Sequence, residues 1–577
     1  MTDADRSDAP EAREFARLNP WGLVGATAMF ALGLSPSLLP RDFFYQSIVS
    51  GLAAGLGYLA GLGFRHAWWR WLAPWLSAQE PLRRCTRKIS PGMRRVLERA
   101  LLGCAVLTLF LVAVVSLRWQ RDIAALMSAP APSLWAYLLV IPIGGIVFAG
   151  CLVGGCLLRA LARLIARRLP GPNRGMGRRV VGWAAVLVGC VVAIDWAIPG
   201  TIVRAGEAIF AHSDQGPERG VSQPAESERS GSPASQVPFE SLGRLGMRFV
   251  DGGLRVDQLA QETGRPAREP IRVYAGLKTA GEIAARAEAI IGELERTGAR
   301  ERQALLLILL TGTGWVNARA AQAFELLYGG DTAIVAAQYS YLPSAFHFLA
   351  GGGEVQEAGR EIITPIVDWW NKLPDDARPR LFLYGESLGS SAVESAFSGM
   401  RDIANSVDGI LLAGPPNFNP LWQTFVERRD PGTTEVAPEY SAGLVVRFAQ
   451  DAQDIARVGG EGPAGWGPTR MLYIPHASDP VVWWSPNLIA REPDWLREPA
   501  GKDRLPGMVW LPGITFLQVS ADLPVSQNVP QGHGHNYGDA LVPGFAAIGG
   551  IADEARVAQV QEQVTRALEL TGEVRFG

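Results

Sequence analysis

The chain has 577 residues, of which 48% are hydrophobic and 19% charged, with a net charge of -2; it is too long for one ordinary domain and unusually apolar. No basic stripe of the kind that tracks phosphates is present, which excludes nucleic acid as a partner. All five cysteines (Cys85, Cys104, Cys151, Cys156, Cys190) lie in the apolar first part, so thiol chemistry is excluded from the remainder.

After a short tail (residues 1–20), residues 21–209 read as a transmembrane region. Five apolar runs, Trp21 to Leu39, Ser47 to Phe64, Ala100 to Leu117, Leu134 to Leu158 and Val180 to Pro199, each approach the ~20 residues that a bilayer core requires. The first ends in "GLSPSLLPRD" without a small-residue cleavage pattern, so it is expected to be a retained helix and not a signal peptide. Arginines crowd the loops after the second run (Arg65 to Arg99) and the fourth (Arg159 to Arg179). Cytoplasmic loops carry such an excess, so the tail is expected inside and everything beyond Pro199 outside, at the inner membrane. Gly51, Gly55, Gly57, Gly61 and Gly63 are expected to be close-packing positions. Asp195 lies near the outer end of the fifth run, where it can reach the interface and gives little support to transport.

Residues 210–240 are rich in Ser, Pro, Gly and Glu and read as a flexible linker. From 241 to 577 the texture changes to apolar strands alternating with helical stretches: "IRVYAGL", "QALLLILLTG", "TAIVAAQYS", "RLFLYGES", "DGILLAGPP", "TRMLYIPHASDP" and "ITFLQVSAD" are expected strands. Alternation of this kind predicts a mostly parallel sheet with covered faces, and ligands bind at the carboxyl ends of its strands. A looser stretch near 415–470, containing Trp422, Phe425 and Trp466, is expected to be a cap-like insert.

One strand end carries Gly385-Glu386-Ser387-Leu388-Gly389, the G-x-S-x-G spacing that exposes a serine at a sharp strand-to-helix turn. A serine nucleophile needs a base, and the base needs a carboxylate to hold its tautomer. Chain order Ser387, Asp479, then His533 or His535 supplies all three, each expected at a strand end. His535 is preferred as the base because it lies nearer the helix expected to begin around Tyr537; His533 then shapes the loop, and His476 is structural. For the oxyanion, the N–H of Leu388 and one from Thr313 or Gly314 in "LTGTGWV" are the expected donors. That glycine-rich turn lacks the lysine of a phosphate-binding loop. Glu386 reads as a solvated carboxylate or a receptor for a cationic group. No metal or organic cofactor is implied, because no histidine or thiol cluster has metal spacing beyond a single H-x-H.

With "LSPSLLPRD", "LTGTGWV", "AAQYSYLPS", "RLFLYGESLGS", "HASDPVVWW", "PDWL" and "GHGHNYGD" in place, the chain resembles, over essentially its whole length, bacterial membrane-anchored α/β-hydrolases with a multi-span N-terminal domain. The resemblance implies Ser387 as nucleophile, Asp479 as acid and a "GHGH" histidine as base. Some similar proteins hydrolyse aminoacyl-phosphatidylglycerol. The expected activity is hydrolysis of a membrane lipid or other ester through an acyl-enzyme. An acyltransferase with the same triad, and a membrane sensor or transporter with a degenerate hydrolase domain, are the alternatives; the oligomeric state is not encoded legibly.

Overall fold

A computed structural model describes residues 18–73, 91–168, 176–193, 214, 216–310, 312–349, 352–460 and 465–573. Contacts divide the chain into two compact units: Met1–Gly189 with Pro486–Arg497 and Arg504–Val525, and Cys190–Ser485 with Glu498–Asp503 and Ser526–Gly577. The boundary expected near residue 241 is therefore not the physical one, because two later segments belong to the first unit.

In the helical unit, three helices among the described residues are long and apolar enough to cross a membrane: Phe43–Trp71, Gly103–Leu126 and Leu134–Arg168. The first expected span is a helix of only 14 residues, Pro20–Gly33, which ends ahead of Pro36 because a residue preceding proline is pushed out of the helical region. The fifth is described only as the 17-residue helix Met176–Val192; Asp195 and the rest of that run lie outside the described residues. Helices Pro20–Gly33 and Phe43–Ala67 touch backbone to backbone, since a Cβ on Gly25 would overlap the carbonyl of Gly57, and one on Gly61 that of Trp21. Gly51 and Gly55 abut Val147 and Cys151, whereas Gly63 faces open space.

The stretch "ITFLQVSAD", expected as the last strand, is the helix Ile514–Asp522, and it packs in this unit. Its buried face is mixed: Ile514 and Val519 share it with Thr515, Gln518 and Asp522, all three polar and fully buried. Gln518 Nε2 donates to Ser35 O at 2.9 Å, Arg41 Nε lies 3.0 Å from Asp522 Oδ1, and Ser37 Oγ donates to Asp522 Oδ2. A hydrophobic pattern registers such a helix poorly, because three of the positions at its inward period are polar.

The second unit is built on seven strands: β1 (Ile271–Ala275), β2 (Ala304–Leu309), β3 (Thr332–Ala337), β4 (Arg380–Glu386), β5 (Gly409–Ala413), β6 (Val446–Phe448) and β7 (Arg470–Ile474). Their order is β1-β3-β2-β4-β5-β7-β6, and every pairing is parallel. Strands β1, β2, β3 and β5 are buried along their whole length, as expected where helices cover both sheet faces. Arg272 on β1 is nevertheless charged and buried; it is neutralised by a two-pronged pair with Glu325, both contacts at 2.8 Å. The chain runs from β2 to β3 on one side and returns to β4 on the other, so the crevice at the carboxyl ends of β2 and β4 is the switch point where ligands bind.

Two sequence expectations need correction here. Much of the 210–240 linker is packed on this unit: Ser230 N donates to Arg272 O at 3.0 Å and Arg272 N to Glu228 O at 3.1 Å, while Arg229, fully buried, pairs with Glu269 at 2.8 Å. Some of its polar side chains bond into the unit, as Ser230 Oγ does in donating to the buried Glu293 Oε2 at 3.1 Å. The 415–470 insert is not simply a cap, because it contains β6, which extends the sheet beyond β7. Trp422 and Phe425 are core residues with only 2% exposure each.

Candidate active site

Strand β4 ends at Glu386, and the helix Leu388–Ser395 starts two residues later. Ser387 makes the turn with φ 56° and ψ -127°, a region that costs a non-glycine residue about 1–3 kcal/mol and persists only where the surroundings impose it. They do so here. A Cβ on Gly385 would lie 2.5 Å from Gly389 O, and one on Gly389 would overlap Leu309 O, so both flanking glycines are required by close approach. Ser387 N donates to Ala413 O at 2.9 Å, tying the turn to β5.

Below the turn lies a buried carboxylate that the sequence reading missed. Ser390 Oγ donates to Ser387 O at 2.6 Å and accepts from Asn419 Nδ2 at 3.0 Å. Asn419 Nδ2 also reaches Glu394 Oε1 at 3.0 Å. Glu394 further accepts from Tyr473 Oη at 2.8 Å and from Leu421 N at 2.8 Å. Burial pushes the Glu394 carboxyl up to about 7 despite these donors. Nothing in "SSAVESAF" signals this, because Ser390, Ser391, Glu394 and Ser395 fall on one side of the helix and read as an ordinary polar face.

Asp479 follows β7, the last strand, and not the penultimate one as expected. It caps the short helix Pro480–Trp483 by accepting from Val481 N at 2.8 Å. Its other oxygen, Oδ2, receives His535 Nδ1 at 2.6 Å and Tyr537 Oη at 2.7 Å. Burial would raise the Asp479 carboxyl, but His535 and these hydrogen bonds outweigh it and hold it below the usual carboxylate range. For His535, burial pulls down while Asp479 and Glu386 push up, and the net direction is up. His535 is 3% exposed, and its Nε2 has no hydrogen-bond partner among the described residues.

The loop "GHGH" is held by groups on the β7 side. Gly534 N donates to Ser478 Oγ at 2.7 Å, His476 Nδ1 donates to Gly534 O at 2.8 Å, and Ser478 N donates to Asp503 Oδ1 at 3.0 Å. His533 points instead towards Asp503, Nδ1 to Oδ2 3.4 Å. The structure thus brings His535, and not His533, to Asp479. His476 stacks on Tyr537 with ring centroids 4.0 Å apart.

Ser387 and His535 line one cavity of about 690 Å³ together with Thr313, Trp315, Glu386 and Arg319. Thr313 and Gly314 stand on the loop after β2, held by Gln338 Nε2 to Thr313 O at 3.1 Å and Tyr274 Oη to Gly314 O at 2.9 Å. Leu388 is the first residue of the nucleophile-side helix and is buried. Glu386 is half-buried in the cavity wall and hydrogen-bonded: Tyr384 Oη and Asn317 Nδ2 donate to its Oε2 at 2.7 and 2.8 Å.

Residues 271–562 match the profile described as "Alpha/beta-hydrolase family", and residues 34–253 match that described as "Alpha/beta-hydrolase family N-terminus". The chain belongs to the α/β-hydrolase family. No curated protein and no solved structure matched it. Membership of the α/β-hydrolases supports a hydrolytic activity for the second unit, and its parallel sheet with helices on both faces agrees with that family's fold.

Proposed function

We propose that this α/β-hydrolase is a serine esterase anchored in the inner membrane, with its second unit outside, cleaving an ester that the membrane presents. The observation that carries the reading is a strained Ser387 sharing a cavity with His535, whose Nδ1 is engaged by Asp479 and whose Nε2 is unengaged.

Ser387 Oγ attacks the ester carbonyl while His535 Nε2 takes its proton; Asp479 holds the Nδ1–H tautomer and stabilises the imidazolium. The N–H groups of Leu388 and of Thr313 or Gly314 receive the oxyanion. His535 then protonates the departing alcohol, and water, deprotonated by the same Nε2, releases the acyl group and restores Ser387. Three apolar helices and the arginine-rich loops support membrane residence and an outward second unit. A membrane lipid ester, with aminoacyl-phosphatidylglycerol as its foremost example, is the proposed substrate: an anchored pocket meets mainly what the bilayer offers. A fluorophosphonate probe tests the nucleophile, with labelling expected in the wild type and lost in Ser387→Ala. Labelling that survives this substitution places the nucleophile elsewhere.

A further inference from the structure

Three arginines line the cavity that holds Ser387 and His535: Arg248, Arg272 and Arg319. Two have carboxylate partners. Arg272 is clamped by Glu325 at 2.8 Å, and Arg248 has Glu218 at 3.5 Å. Arg319 is half-buried, yet among the described residues no hydrogen bond or ion pair engages its guanidinium; Asp539 acts on it only through its field. Its stem lies along the backbone at Gly538, where a Cβ would stand 3.1 Å from Arg319 Nε and 3.2 Å from Arg319 Cδ. Gly538 belongs to the same loop as His535 and lines the same cavity, so a side chain at this position would crowd the arginine and displace it.

A partly desolvated guanidinium without a partner is unfavourable, and five N–H donors in a planar fork match one kind of visitor best, an oxyanion that accepts two of them. Glu386, the carboxylate next to the nucleophile in sequence, takes Tyr384 and Asn317 on its Oε2 and makes no ion pair with Arg319 among the described residues; the one charge that acts on the arginine is that of Asp539. We infer that Arg319 is the receptor for an anionic group, a phosphate or a carboxylate, carried by the ester substrate. The inference rests on the esterase reading of this pocket and sharpens it: the enzyme selects charged esters, and the phosphodiester of a phospholipid headgroup is the form such an anion takes at a bilayer.

The test uses the full-length protein in detergent with p-nitrophenyl acetate, mono-p-nitrophenyl succinate and an acyl ester of glycerol 3-phosphate. In the wild type, kcat/KM for an anionic ester is expected to exceed that for the neutral one by about tenfold or more. In Arg319→Ala the ratio should fall to about one, with partial recovery in Arg319→Lys, which restores charge without the fork. A phosphate source is indicated if only the glycerol 3-phosphate ester is favoured, a carboxylate source if only the succinate is. Calorimetric binding of glycerol 3-phosphate supplies an arm independent of catalysis, with affinity expected to drop about tenfold or more in Arg319→Ala. Equal ratios and equal affinities in wild type and Arg319→Ala overturn the inference. If the wild type cleaves no ester and takes no fluorophosphonate label, the esterase reading fails, and the binding arm still decides whether Arg319 receives an anion.

Discussion

Tyr537 Oη donates to Asp479 Oδ2 at 2.7 Å, the same oxygen that accepts His535 Nδ1. The tyrosine therefore stabilises the ionised acid directly and the histidine tautomer indirectly. Tyr537→Phe removes one of the contributions that keep the Asp479 carboxyl low. A loss of about five- to thirtyfold in kcat is expected, the range set by one charge-assisted hydrogen bond of ~1–2 kcal/mol, with KM nearly unchanged. A pure KM effect would assign Tyr537 to substrate binding.

The two histidines of the "GHGH" loop should separate sharply. His535→Ala is expected to cost on the order of 10³-fold or more in kcat, whereas His533→Ala, which loses only the 3.4 Å approach to Asp503, should cost much less. Steady-state kinetics on both variants decides this; the opposite order would remove His535 from the proposed role.

The pH profile follows from the same pair. His535 must be neutral to accept the serine proton, and its pKa is raised above the ordinary 6.5. The acid limb of kcat/KM should therefore lie above 6.5, with activity rising as pH rises through it. Asp479→Asn removes a cause of that elevation and leaves burial, which acts downward, so the limb of the residual activity should move to lower pH. An unshifted limb would mean that another group sets it.

Glu394 gives a stability prediction with an unusual sign. Its folded pKa of about 7 lies above the ordinary 4.5, so the folded state binds the proton more tightly. Stability is therefore greatest below the unfolded pKa and falls as pH rises towards 7. Glu394→Gln removes this titration while weakening hydrogen bonds at all pH values. Relative to wild type, its deficit in thermal midpoint should narrow between about pH 4.5 and 7. A deficit that widens over that window would show that Glu394 titrates in the other sense.

In the helical unit, Asp522→Ala strands the wholly buried Arg41 guanidinium. Breaking such a pair typically costs about 3–5 kcal/mol. A clear fall in thermal stability in detergent is expected, with Asp522→Asn intermediate.

How much of this was legible in the sequence depended on what kind of signal each element carries. Strands such as β2, "ALLLIL", announce themselves because both faces are apolar. The turn at Ser387 was readable because close approach dictates both flanking glycines. Strand β6 has three residues, too few to show a period. The helix Ile514–Asp522 reads as a strand because polar Thr515, Gln518 and Asp522 share its buried face with Ile514 and Val519, which hides the helical period and leaves only a short apolar run. The roles of Tyr537, Asp503 and Glu394 are hidden for a related reason: their partners are distant in sequence, and a polar residue does not declare whether it faces water or a buried acceptor. Tyr537, expected to open a helix, instead precedes the helix Leu541–Gly549 and bonds to Asp479.

The helix Ile514–Asp522 lies in sequence between Asp479 and His535, yet it packs with the first unit. A protein cut at residue 241 would retain it without the partners of Gln518 and Asp522, namely Ser35, Ser37 and Arg41. Nascent chain order gives this arrangement a direction. The N-terminal helices leave the ribosome first, and the segment that joins acid to base can settle only on helices already made. The two polypeptide regions are thus interleaved in a way that gene fusion, permutation or shuffling at the apparent domain border would break, and evolution of either region on its own is constrained accordingly.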